Sequence, residues 1–228
     1  MNALADFDAG PVLLSLQLAG LSTLLLLLIG TPLACWLAFG RGRLRTLVEA
    51  LVALPLVLPP TVLGFYLLVL FSPEAPLGST WLRLTGDTLA FSFSGLVLAS
   101  VLYSLPFVVQ PLQSAFAAVG TAPMEAARMA GASALDAFLT VLSPLARQGY
   151  LSAVVLGFAH TLGEFGVVLM VGGNIPGQTR VISIAIFEHV ETLNYGQAHL
   201  LSAGLIVFSF LVLLLVYAGR RPRAGVIP

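Results

Sequence analysis

Five apolar runs separated by short polar stretches set the plan of this chain. They cover about Pro11 to Gly40, Val48 to Phe71, Leu89 to Val119, Tyr150 to Val171 and His199 to Tyr217. A membrane helix needs about 20 predominantly apolar residues, and each run meets or approaches that length. The pattern predicts an all-α polytopic membrane protein with about five transmembrane helices, organised as a single transmembrane domain over residues 1–228.

Breaks inside the runs qualify this picture. The first run is longer than a span needs, so its helix is expected to tilt, to bend near Pro32 or to protrude. Pro55, Pro59 and Pro60 interrupt the hydrogen-bond ladder of the second run. Broken backbone inside a bilayer survives only against protein or a wet cavity. That stretch is therefore either a kink packed on neighbouring helices or a hinge or wall of a pathway. Pro106 and Pro111 are expected to break the third run, and Ser72 to Thr88 is expected to be a loop with Trp81 at an interface. Val181 to His189 is too short to span and reads as a re-entrant or interfacial helix.

Composition agrees with the pattern: 58% of residues are hydrophobic and 9% charged, and mean hydropathy is +1.01. A soluble domain of this size carries far more charge. The arginines then orient the spans. Arg41, Arg43, Arg45, Arg128, Arg147, Arg220, Arg221 and Arg223 fall on one side of a five-span arrangement, and Arg83 and Arg180 on the other. By the positive-inside rule the first group is cytoplasmic, with the N-terminus outside and the C-terminus inside. The N-terminal residues include Asp6 and Asp8 but no basic residue, so no cleaved signal peptide is expected.

Several chemistries drop out. The chain has no lysine, so it cannot supply a Walker A phosphate loop; if it performs work with ATP, another polypeptide must bring the nucleotide site. His160, His189, His199 and Cys35 show no metal-ligand spacing. Cys35 reads as a small core residue. Glu164 and His160 are thin material for an embedded enzyme.

The polar segment 121–147 stands out between the third and fourth runs. Thr121, Pro123 and Glu125 suit a helix start, Ala126, Ala127 and Ala130 favour helix, and Gly131 permits the positive φ that ends it. Ser133 and Asp136 suit the start of a second helix, expected to end before Pro144. Glu125-Ala126-Ala127, then Gly131 after three residues, then Val141-Leu142-Ser143-Pro144 after nine more, resembles the EAA motif of ABC-importer permeases. Valine and serine replace the motif's isoleucine and leucine. The resemblance implies a type I ABC-importer permease fold in which this segment is a cytoplasmic coupling helix. Glu125, Ala126, Ala127, Arg128, Gly131 and Pro144 would then be its ATPase-coupling residues.

Two further stretches narrow the resemblance. Pro55-Leu56-Val57-Leu58-Pro59-Pro60-Thr61, and Leu162-Gly163-Glu164-Phe165-Gly166 followed by Gly173-Asn174-Ile175-Pro176-Gly177-Gln178-Thr179-Arg180, are similar to segments of molybdate permeases. The similarity extends to sulfate permeases to a lesser degree. Within the fourth run, Glu164 costs on the order of a few kcal/mol to insert, which makes it a functional candidate. A fixed negative charge would repel an anionic cargo, so a structural role is favoured, with the carboxyl protonated or hydrogen-bonded to helix breaks and His160 one turn away as a partner. Gly163 and Gly166 would let another helix approach closely. Arg180 suits an oxyanion at the outer mouth, or equally a salt bridge to Glu188 or to a binding protein.

The resemblance implies an inner-membrane permease subunit of a bacterial molybdate importer and no catalytic role. Its implied partners are a second copy of the chain, two ABC ATPase subunits that bind ATP and Mg, and a periplasmic or lipoprotein molybdate-binding protein. Five spans enclose a solute path poorly, which also favours two copies about a two-fold axis. Membrane lipid surrounds the assembly, and no nucleic-acid partner is expected. A dianion that must cross without deep binding needs hydroxyls, amides and small residues along its path. Pathway or gate candidates are Thr61, Ser104 and Thr161, together with Glu164 and Arg180. The alternatives are tungstate or sulfate as cargo, or a proton-coupled secondary transporter using Glu164 and His160. The last often shows paired internal repeats, and no convincing repeat is present.

Overall fold

A computed structural model describes residues 8–218, with side chains to Leu214. Arg220, Arg221 and Arg223, on which the inside C-terminus rests, and Asp6 lie outside the described residues. Among the described residues all regular structure is helical. The chain divides into two compact units, residues 8–185 and a second that begins at Ile186.

In the first unit, α1 (Gly10–Phe39) runs unbroken for 30 residues through Pro32. It packs along α5 (Phe93–Val119), and both pack on α9 (Arg147–Leu162). The contact is tight because small residues line it. A Cβ on Gly157 of α9 would lie 2.6 Å from Val108 of α5. Leu18, Leu26, Leu37, Leu96, Val108 and Leu112 fill the core between these helices. Pro106 and Pro111, expected to break α5, do not: the helix is continuous across both. Pro106 and the neighbouring Val108, Val109 and Leu112 are buried. Packing on both sides holds the helix where two backbone N–H groups are missing.

The second apolar run does break, at Pro59 and Pro60 but not at Pro55, which lies inside a continuous helix. α2 (Arg43–Val57) and α3 (Pro60–Phe71) meet at 113° across Leu58-Pro59. The bend is much sharper than a proline kink, because Pro59 and Pro60 together leave the chain extended before it re-enters helix. The expected loop 72–88 contains a short helix, α4 (Pro76–Thr85), started by Pro76 and closed by Gly86 at φ +81°. Trp81 on it packs, half-buried, against the cluster of Leu67, Phe71 and Leu89.

The expected fourth span is also divided. After α9 the chain breaks at Gly163-Glu164-Phe165 and resumes as α10 (Gly166–Gly172), which packs on α3 and α5. The following loop folds on Thr179, whose hydroxyl donates to Gly172 O at 2.7 Å and accepts from Ile175 N at 3.1 Å. α11 (Ile182–Glu191) is ten residues, as short as expected. In the second unit, α12 (Tyr195–Ala218) accounts for the fifth run. Among the described residues, three helices are long and apolar enough to cross a membrane, or up to five if each of two bent pairs, α2 with α3 and residues 134–145 with α9, counts as one span.

Candidate functional site

The segment between α5 and α9 is built from short helices. Gly120, at φ +74°, ends α5. α6 (Ala122–Met129) follows, with Glu125 in its first turn. Thr121 occupies the capping position, but its hydroxyl makes no capping bond; its carbonyl accepts from Glu125 N at 3.0 Å. Gly131 has φ +95°, the left-handed conformation that stops the helix. Ser133 then caps α7 (Ala134–Ala137) reciprocally with Asp136, through bonds of 3.1 and 3.3 Å.

The second helix does not end before Pro144. It continues through a π-helical turn, Phe138–Leu142, into α8 (Ser143–Leu145). In that turn Ser143 N bonds Phe138 O, and Pro144 falls in the first turn of the resumed helix, where its missing N–H costs nothing. Two short helices thus meet at Gly131, and the pair joins α9 through a 75° bend. α6 has no buried residue, and Met129, Leu135 and Leu139 are exposed. An apolar, solvent-facing rim of this kind is suited to contact with a partner.

The second candidate region lies at the two helix breaks. Pro60, Thr61, Tyr103, His160, Gly163, Glu164 and Phe165 line an open cavity of about 580 Å³. Thr61 and Glu164, both pathway candidates, are thereby brought to one place. Ser104 and Thr161 are brought to each other instead. They are buried between α5 and α9, with Ser104 Oγ 3.0 Å from Thr161 Oγ1 and 2.9 Å from His160 Nδ1. His160 therefore partners Ser104, not Glu164, and its ring stacks on Phe107 at 3.8 Å. Serine and histidine in separate apolar runs gave no signal of this pairing.

Glu164 is 5% exposed, and neither carboxyl oxygen has a hydrogen-bond partner among the described residues. Ser100 Oγ neighbours it and is likewise without a bond of proper geometry. The break itself is held through the backbone: Ser183 Oγ donates to Glu164 O at 2.5 Å. Gly166 lies against Pro60, whereas a Cβ on Gly163 would meet only carbonyls of its own helix. Arg180 stands apart from the cavity lining and donates from Nε to Asn174 Oδ1 at 2.6 Å.

Sequence reasoning missed Glu49. It lies on α2, 3.9 Å from Arg45 and within 2.8 Å of Gln113 Nε2, so it ties α2 to α5 beside a smaller polar cavity. An acid two turns inside a helix with a glutamine facing it across the sequence leaves no periodic signature.

These features define a class: an all-helical, multi-span membrane subunit with an exposed pair of short helices and apolar helices broken in mid-course. The model of the family described as "Binding-protein-dependent transport system inner membrane component" matches residues 30–221, and the chain belongs to that family. It is thus a non-catalytic permease component of the ABC-importer class, in which a separate ATPase binds ATP and a binding protein presents the solute. The chain is 57% identical over 222 residues to the molybdenum transport system permease protein ModB of Azotobacter vinelandii, covering 97% of this chain and 98% of that one. It is 35% identical to the protein of that name from Escherichia coli K12, covering 97% and 99%. A structure of the MetNI methionine ABC transporter matches with a TM-score of 0.73 at 18% identity, over 97% of this chain and all of that one. That likeness establishes the permease fold.

Proposed function

We propose that this chain is the permease subunit of an ATP-driven molybdate importer. Two copies form the pathway, each docking an ATPase through residues 121–147, and a molybdate-binding protein delivers cargo to the outer face. The observation that carries the reading is the 57% identity, over nearly the whole of both chains, to a molybdenum permease. The chain sits with its N-terminus outside and C-terminus inside, as five spans of one domain, with α2 and α3 forming one broken span and α9 and α10 another. Glu125, Ala126, Ala127, Arg128, Gly131 and Pro144 build the docking knuckle. ATP-driven closure of the ATPases moves the knuckles, and α9 carries that motion to the break at Glu164. A ligand can shift the resting conformation only through contacts that differ between states. The knuckle, exposed and rimmed by Met129 and Leu135, is suited to such contacts.

The test is reconstitution of permease, ATPase and binding protein in vesicles. Molybdate uptake should require ATP and the binding protein and should survive collapse of the proton gradient. Competition with tungstate and sulfate ranks the cargo. Uptake driven by a proton gradient without the ATPase would overturn the proposal.

A further inference from the structure

The buried hydroxyls between α5 and α9 assign a tautomer to His160. Thr161 is 3% exposed and Ser104 fully buried. Among the described residues, the one hydrogen-bond partner of Thr161 Oγ1 is Ser104 Oγ, and Ser104 has Thr161 and His160 Nδ1. Each hydroxyl has a single proton to give. If Thr161 donates to Ser104 and Ser104 donates to Nδ1, both protons are used. The reverse direction leaves the Thr161 proton buried without an acceptor, as would an N–H at Nδ1. An imidazole that accepts at Nδ1 carries its hydrogen on Nε2. That nitrogen makes no bond among the described residues, and its half-buried ring lines the cavity at the helix breaks.

We propose that His160 presents this Nε2–H to the cavity and, with the hydroxyls of Tyr103 and Thr61, forms a contact point for a tetrahedral oxyanion in transit. The inference rests on the molybdate reading and deepens it. The cavity lining supplies neutral donors and no arginine, which matches a cargo that must be released as readily as it is held. The one acid in the lining, Glu164, has both oxygens sealed from the cavity, so the polar side chains left for an occupant are those of His160, Tyr103 and Thr61. Stacking on Phe107, and the tilted contact with Tyr103 at 4.9 Å, fix the ring plane. Ser104 and Thr161 are positioning residues that act through the ring.

Two measurements on the complete complex test this. In ¹⁵N spectra of the unmodified complex, with the His160 signals assigned by their loss in His160→Gln, His160 should show a protonated Nε2 and a bare Nδ1. Ser104→Ala should mix the tautomers. A protonated Nδ1 in the unmodified complex overturns the proposal. In vesicles, His160→Phe should lower ATP-driven molybdate uptake on the order of tenfold, the scale of one hydrogen bond to an anion, and His160→Gln should restore most of it. Uptake by an assembled His160→Phe complex equal to the unmodified one also overturns it. Should the unmodified complex refuse molybdate and carry a different anion, the cargo reading falls, while the spectra still decide the tautomer.

Discussion

Gly166 at the start of α10 lies against Pro60 at the start of α3, so closely that a Cβ at position 166 would stand 2.7 Å from Pro60 Cβ. The two broken helices therefore touch at their breaks. Gly64, one turn further along α3, meets Met170 of α10 at the same 2.7 Å. Each break leaves a short helix with too little length to stand alone, and the pair solves this by mutual close packing.

Gly166→Val should accordingly force α3 and α10 apart. Overpacking of this kind costs about 1–3 kcal/mol. The expected outcome is a lower melting temperature of the purified complex and reduced transport. Because a Cβ on Gly163 meets only carbonyls of its own helix at 3.5 Å and beyond, Gly163→Ala should be far milder. Equal effects at the two positions would contradict the packing described.

The junction of α1, α5 and α9 makes a second prediction. A Cβ on Gly157 would lie 2.6 Å from Val108 Cγ2, with Leu26 and Thr23 at 3.9 and 4.0 Å. Gly157→Ala should destabilise the helix bundle, and Val108→Ala should do so by opening a void. Together they should cost less than the sum, since the smaller side chain at 108 makes room for the new methyl. Thermal melting of the two single variants and the double variant measures the coupling; strict additivity would count against the contact.

Glu164 allows a test that needs no transport assay. A buried polar group without a partner costs about 1–3 kcal/mol, and both carboxyl oxygens are in that position. Glu164→Met keeps most of the volume and removes the unpartnered polar atoms. It should leave the melting temperature of the complex unchanged or raise it. A marked fall would mean that another subunit supplies a donor or cation to the carboxyl in the assembly.

The helices themselves were largely legible, because apolar runs of the right length survive any tertiary arrangement. Gly131 and the Ser133–Asp136 box were legible too, since capping chemistry is local. The proline signals divided. Pro59-Pro60 broke its run, whereas Pro106 and Pro111 did not, and the difference lies in the neighbours: α5 is clasped between α1 and α9, and the turn at Pro59 is exposed. No local pattern carries that information. The break at Gly163–Phe165 has no proline, and the bond from Ser183 that holds it comes from 19 residues on. The same limit hid the pairing of Ser104 with His160, 56 residues apart.

Gly131 bears on how the knuckle works. Its φ of +95° lies where a side chain is strained, yet nothing comes within 4 Å of a Cβ built there. Substitution therefore acts through the backbone alone, at about 1–2 kcal/mol for a β-branched residue. Asparagine tolerates positive φ better than valine does. If the angle between α6 and α7 transmits the ATPase's motion, Gly131→Val should reduce ATP-driven uptake severely with normal membrane insertion, and Gly131→Asn should reduce it less. The measurement is uptake per ATP hydrolysed in vesicles of the complete complex, with assembly checked by co-purification. A valine variant that assembles and transports at the unmodified ratio would show that this turn is a connector and nothing more.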